Sequence, residues 1–148
     1  MKESRVYLDT SIITKRYIKE ENGDIADSHF HPVQCGETVI TLSEINLGGA
    51  AAVFDKYSRK MGIDARVRLQ TTVSELISLE RSSSVEIYPV SRHIIQNAIR
   101  IVLEQHIYIY IVDAIQLATC IESRSTLFCP ADKELNSTGR KLRIETIL

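Results

Sequence analysis

The 148-residue chain contains no tryptophan, three cysteines, three prolines and six glycines, and its 18 Lys and Arg nearly balance 19 Asp and Glu. Each shortage excludes something. Cys35, Cys120 and Cys129 are odd in number and lie in apolar surroundings, so no disulfide framework is expected and a reducing cytosol is the natural home. The longest apolar runs are short, such as Ile107 to Val112. A bilayer-crossing helix needs roughly 20 apolar residues, so a soluble protein with no membrane partner is expected. Met1 to Arg5 lacks the apolar stretch of a secretory signal, which also favours a cytoplasmic location. A net charge of −1 gives no whole-molecule attraction to nucleic acid.

Motifs are missing too. Without G-x-G-x-x-G or a P-loop, nucleotide-cofactor readings have no support, and without G-x-S-x-G Ser11 lacks the setting of a hydrolase nucleophile. His29, His31 and Cys35 are close in sequence, but alternate residues point to different sides and no fourth ligand is evident, which argues against zinc. His93 and His106 have no sequence partners and read as surface or helix-end residues.

What remains is 44% apolar and long enough for one core, a single domain over residues 1–148. Arg5 to Asp9 reads as a strand and Ser11 to Glu20 as a helix with Ile12, Ile13, Tyr17 and Ile18 on one stripe. A short helix is expected over Asp24 to Phe30, closed by His31-Pro32, and a buried strand over Thr38 to Thr41. Two long helices follow, Ser43 to Lys60, where Gly48-Gly49 permits close packing, and about Asp64 to Glu80. Next come a strand at Val85 to Pro89, a helix at Arg92 to Gln105 capped by Ser91, a helix from Asp113 to about Ser123, and a strand at Thr126 to Cys129. A short helix after Asp132 is expected to end at Gly139, before a fifth strand at Leu142 to Thr146. Strands alternating with helices imply an α/β fold, a parallel sheet of about five strands between two helical layers.

Such sheets bind ligands beyond the carboxyl ends of their strands. Asp9 closes the first strand, Glu44 follows the second by three residues, Asp132 follows the fourth by three, and Asp113 starts a helix that must run back down the sheet. Four acids from four segments therefore meet at one edge, where they repel unless protonated or neutralised by cations. All-oxygen ligand sets suit Mg²⁺ or Mn²⁺ rather than zinc. A metal pair so held can activate water and stabilise the oxygens of a phosphodiester, which is nuclease chemistry. With four of the 19 acids neutralised, 15 face 18 basic residues, a balance of +3 that leaves an anion-binding surface available.

Simpler readings stand beside this one. Asp9 can end its strand in an Asx-turn, with Ser11 capping the helix. Thr41-Leu42-Ser43-Glu44 has the form of a capping box, and local spacing favours Glu44 as that cap. Asp113 can serve the helix dipole and Asp132 an ordinary helix start. None of these explains why all four share an edge. The alternation Ile107-Tyr108-Ile109-Tyr110-Ile111 suggests an aromatic platform for RNA, but core or edge packing is the favoured reading.

With these residues in view, the sequence resembles the PIN-domain ribonucleases, most closely the VapC-like toxins of toxin–antitoxin pairs. The resemblance rests on "VYLDTSIITKRYIKEENGD", "ITLSEI", "VDAIQLATC" and "FCPADKEL", in order and across nearly the whole chain. It implies a sheet order 3-2-1-4-5 and one or two Mg²⁺ or Mn²⁺ ions held by Asp9, Glu44, Asp113 and Asp132. Ser11 or Thr10 would bond a carboxylate or a metal-bound water. It further implies single-stranded or loop RNA as substrate, a homodimer, an antitoxin that occupies the groove, and phosphate contacts from Lys15, Arg16 and Lys133. The chain departs from the family pattern at Val112, where an aromatic is usual, and at Cys129-Pro130, where small hydroxyl residues are usual. The expectation is a metal-dependent endoribonuclease toxin. The alternatives are a PIN-like module that binds RNA or protein with little or no cleavage, and a phosphatase or flap-type nuclease.

Overall fold

The computed structural model describes residues 4–18, 37–104, 108–130 and 139–140. Four strands, β1 (Ser4–Leu8), β2 (Thr38–Ser43), β3 (Val85–Tyr88) and β4 (Leu127–Cys129), form one sheet in the order β3-β2-β1-β4, and every pairing is parallel. Five helices lie wholly among the described residues: α1 (Thr10–Lys15), α2 (Glu44–Met61), α3 (Ala65–Arg81), α4 (Arg92–Glu104) and α5 (Ile111–Glu122). The expected α/β class and the order of the four strands hold. The expected helix at Asp24 to Phe30 and the fifth strand at Leu142 to Thr146 lie outside the described residues. Gly139 does not end the helix expected before it, because Arg140 is helical as well.

The central strand shows why the sheet is covered on both faces. Val6, Tyr7 and Leu8 are all buried, the continuous apolar run of a strand with no solvent side. Val6 and Leu8 pack with Ile12, Ile13, Ile40, Leu42 and Leu76 on the face covered by α1 and α3. Tyr7 points the other way, into Ile94, Ala98, Ala114, Leu117 and Phe128 beneath α4 and α5. Its ring stacks on Phe128 at 5.6 Å, a contact worth about 0.5–1.5 kcal/mol beyond the area it buries. A smaller cluster around Ile18, Ala50 and Phe54 ties the end of the α1 segment to α2 and α3.

The helix ends are set locally. Ser43 caps α2 by accepting from the Ile45 N–H at 3.2 Å. Gly62 closes the same helix in the left-handed region at φ 67°, where a Cβ would be strained. Asp64 caps α3 by accepting from the Arg66 and Val67 N–H groups, and Ser91 accepts from the Ile94 N–H as expected. Among the described residues no helix is long and apolar enough to cross a membrane.

Candidate active site

Parallel pairing brings the carboxyl ends of β1, β2 and β4 to one edge, and the described candidates are built there. Asp9 directly follows β1. Its N–H donates to the Cys129 carbonyl at 3.1 Å, extending the β1–β4 ladder by one step, and its carbonyl accepts from the Ile12 and Ile13 N–H groups. Asp9 therefore occupies the N-cap position of α1, but its side chain makes no cap hydrogen bond. The Asx-turn reading fails, and so does Ser11 as the cap, because Ser11 lies inside the helix. Asp9 is buried, only 6% exposed. Its charge is felt by its neighbours. Burial first, and Asp9 second, push the Tyr7 hydroxyl well above its usual range and the Cys129 thiol up to about 11.

Glu44 is the first residue of α2, at the matching edge of β2, and it is exposed. It is not the cap. The capping box belongs to Ser43 and Asn46: Ser43 accepts at the start of the helix and the Asn46 side chain reaches back to the Ser43 N–H. The Thr41 hydroxyl is bonded to Ser125 instead. Glu44 is thus released from the structural role its spacing suggested. Asp113 lies half-buried in the first turn of α5, which starts at Ile111 with Tyr110 at the N-cap position, two residues before the expected start. Asp132 and Lys133 lie outside the described residues.

A polar network that the sequence reading missed links these segments. The buried Asn46 side chain accepts from the Tyr7 hydroxyl at 2.8 Å and donates to Thr10 Oγ1 and Gln116 Oε1, each at 2.8 Å. Gln116 sits one turn after Asp113, so the bond to α2 fixes the start of α5 at the carboxyl edge of the sheet. The signal was present in the sequence: Gln116 is the one amide inside "DAIQLATC", an otherwise core-like run.

The surrounding charges divide. Lys15 ends α1 near the site and lowers the Cys129 thiol slightly against its burial. Arg16 pairs with Glu75 of α3 at 2.8 Å, and the Tyr17 hydroxyl donates to the same carboxylate. Arg16 is therefore an anchor between α1 and α3, which counts against the phosphate role expected of it. Tyr108 and Tyr110 meet edge to face at 5.0 Å and are 79% and 64% exposed, so the favoured packing reading is overturned for both rings, while Ile109 does pack against the core.

The donor chemistry described at this edge, carboxylates and hydroxyls, fits a hard cation. Among the described residues, however, no three His, Cys, Asp or Glu side chains come together as a metal-holding group.

A profile of the PIN domain family matches residues 6–141. The chain belongs to the PIN domain family. The solved structures agree on the fold. The Mycobacterium tuberculosis toxin VapC20, described as cleaving the sarcin-ricin loop, superposes with a TM-score of 0.65 at 16% identity, over 90% of this chain and 95% of that one. VapBC2 of Rickettsia felis, bound to a DNA fragment from its promoter, gives 0.66 at 12% identity, over 97% of both chains. FitAcB of Neisseria gonorrhoeae gives 0.65 at 12%, over 97% and 96%. No curated protein matches the chain. Within the PIN fold, β1 with Asp9 at its tip is one of the two inner strands of the described sheet, and the candidate site is built from it.

Proposed function

We propose that this PIN domain is a metal-dependent endoribonuclease, the toxin of a toxin–antitoxin pair. The observation that carries the reading is Asp9, a buried acid at the carboxyl tip of the inner strand β1 whose side chain does not cap the helix it precedes. Asp9 and Asp113 would be the principal holders of Mg²⁺ or Mn²⁺, with Glu44 and Asp132 completing an oxygen set. Such an ion supplies positive charge that lowers the pKa of a water and stabilises the oxygens of a phosphodiester in displacement. The chain's own part is to hold the carboxylates. Burial of Asp9 beneath α1, and of the polar groups under α2 and α5, keeps bulk water from screening them. Ser11 is half-buried in the first turn of α1 and would bond a carboxylate or a bound water from there. Lys15, whose charge acts on Cys129 beside Asp9, is the proposed phosphate contact.

RNA is the proposed substrate and a small antitoxin the proposed regulator. The antitoxin is supported by the fold shared with VapBC2 and FitAcB. Exposed Tyr108, Tyr110, Ile111 and Val112, neighbours in sequence at the start of α5, support a homodimer, since single exposed apolar residues are ordinary but a run of them suits a partner. A cytoplasmic location follows from this role.

The test is cleavage of RNA by purified protein in Mg²⁺ or Mn²⁺, with Asp9→Asn beside it. Losing several kcal/mol of charge stabilisation should lower kcat/KM by about 10²-fold or more while the far-UV spectrum is kept. Cleavage that survives both Asp9→Asn and EDTA overturns the reading. The second reading, a PIN module that binds RNA or protein without cleaving, is favoured by the lack of a three-acid cluster among the described residues. Calorimetric titration with Mn²⁺ separates the two, because a pure binding module need show no affinity that depends on Asp9 and Asp113.

A further inference from the structure

Asn46 is surrounded by the segments that carry the acids. A backbone N–H can only donate, so the Asn46 atom 2.7 Å from the Ser43 nitrogen is its oxygen. That orientation turns the amide NH₂ toward Thr10 and Gln116, with one hydrogen for each. The oxygen takes its second bond from the Tyr7 hydroxyl, so both donors and both acceptor positions of the side chain are used, and the residue is 1% exposed. Thr10 adjoins Asp9, Gln116 lies one turn from Asp113, and Asn46 shares the first turn of α2 with Glu44. Thr10 is held from a second side as well: its side chain fills the space above Gly49, where a Cβ would come within 2.8 Å of Oγ1.

We infer that Asn46 is the positioning residue of the site: its single amide fixes the spacing of the Asp9, Glu44 and Asp113 backbones by bonding α1 and α5 from α2. A fully satisfied buried network has one low-energy arrangement, and an apolar substitute would let the three segments slide independently. The inference deepens the ribonuclease reading and rests on it for its catalytic consequence, but not for its geometry. Groups that orient metal ligands typically contribute about 10- to 100-fold in affinity or activity.

The experiment uses Gln116→Met, which keeps the volume and removes one arm of the hub, together with Asn46→Leu, which removes all four bonds. The measurements are Mn²⁺ affinity by calorimetry, kcat and KM on RNA, and amide exchange. The exchange probes are Ile12 and Ile13, which bond Asp9, and Ala114, which bonds Tyr110. Gln116→Met should weaken Mn²⁺ binding and lower kcat by about tenfold with KM within about twofold. It should also speed exchange at Ala114 selectively over the core strands. Asn46→Leu should extend the loss to Ile12 and Ile13; if it does not fold, Gln116→Met decides alone. Unchanged local exchange in a folded Gln116→Met overturns the inference, whatever the parent's activity. A parent that neither binds Mn²⁺ nor cleaves RNA overturns the ribonuclease reading only, and the exchange data still decide the positioning role.

Discussion

Arg5 and Tyr7 stand two residues apart on β1 and point to the same face of the sheet, yet they anchor polar clusters of opposite character. From near the amino end of β1, Arg5 forms an ion pair with Glu86, donates to the Tyr88 hydroxyl at 3.1 Å, and donates through Nε to the Ser123 carbonyl at 2.9 Å. At the carboxyl edge, Tyr7 donates to Asn46 in a network of neutral side chains. Helix α5 lies along both, held near its start by Gln116 and just past its end by Ser123. The ionic cluster is open to water, with Glu86 41% exposed, whereas Tyr7, Asn46 and Gln116 are buried. Neutral amides can be buried close to the Asp9 carboxylate without adding a second charge to desolvate, and an Arg–Glu pair in that place would compete with any cation. The two ends of one strand thus separate a site-forming network from a surface clasp.

The largest difference is expected where the neutral network meets the helix backbone. At Gly49 a Cβ would approach Thr10 Oγ1 to 2.8 Å and Cγ2 to 2.9 Å, and Thr10 is a β-branched side chain already held by Asn46. Gly49→Ala should cost about 1–3 kcal/mol, a fall in Tm of roughly 3–10 °C. Its neighbour gives the opposite sign. Nothing lies within 4 Å of a Cβ at Gly48, so Gly48→Ala should stabilise α2 by about 0.5–1 kcal/mol through helix propensity alone. Thermal melts of the two single variants check this, and a Gly49→Ala protein as stable as Gly48→Ala would show that Thr10 is not clamped.

Next in size is Tyr7→Phe, which keeps the stack on Phe128 and removes only the hydroxyl. Asn46 Oδ1 then retains the Ser43 N–H alone, at a cost of about 1–1.5 kcal/mol in denaturant melts. Because the arms to Thr10 and Gln116 remain, Mn²⁺ affinity should change far less than in Gln116→Met. Equal losses in the two variants would mean that the network responds as an undivided whole.

How much of this was legible in the sequence depends on whether a signal was local. The strands and their shared edge followed from apolar runs alternating with helical stripes, because sheet direction constrains where each run must end. The fate of Glu44 did not. Thr41-x-x-Glu44 and Ser43-x-x-Asn46 both satisfy capping spacing, and the choice between them is made by β2 continuing two residues further, where Ser43 pairs with Tyr88 of β3. That pairing is long-range and invisible to local pattern. Asn46 was overlooked for a related reason: an asparagine near a helix start reads as surface until Tyr7, Thr10 and Gln116 are brought around it. In "IYIYI" packing was favoured over an aromatic platform, but residues 108–110 lead into α5 without forming a strand, and Tyr108 and Tyr110 stay exposed.

The smallest effect belongs to the surface clasp, and its pH dependence has a definite sign. Hydrogen bonding from Arg5, chiefly, holds the Glu86 carboxyl below its usual 4.5. A group whose folded pKa is depressed contributes stability above the unfolded value and loses it as pH falls through the folded one. The contribution of Glu86 is therefore complete above about pH 4.5 and fades below it. Its exposure to solvent screens most of the pair, leaving at most about 0.5 kcal/mol at neutral pH. The Tm difference between the parent and Glu86→Gln should accordingly be small at about pH 7, shrink further at about pH 3, and shrink also in about 1 M salt. The same acid and salt should leave the loss in Tyr7→Phe unchanged, because no member of the bond it removes titrates there. A clasp whose contribution grew on acidification, or a buried network that weakened in salt, would reverse the assignment of charge to the Arg5 cluster and neutrality to the Tyr7 network.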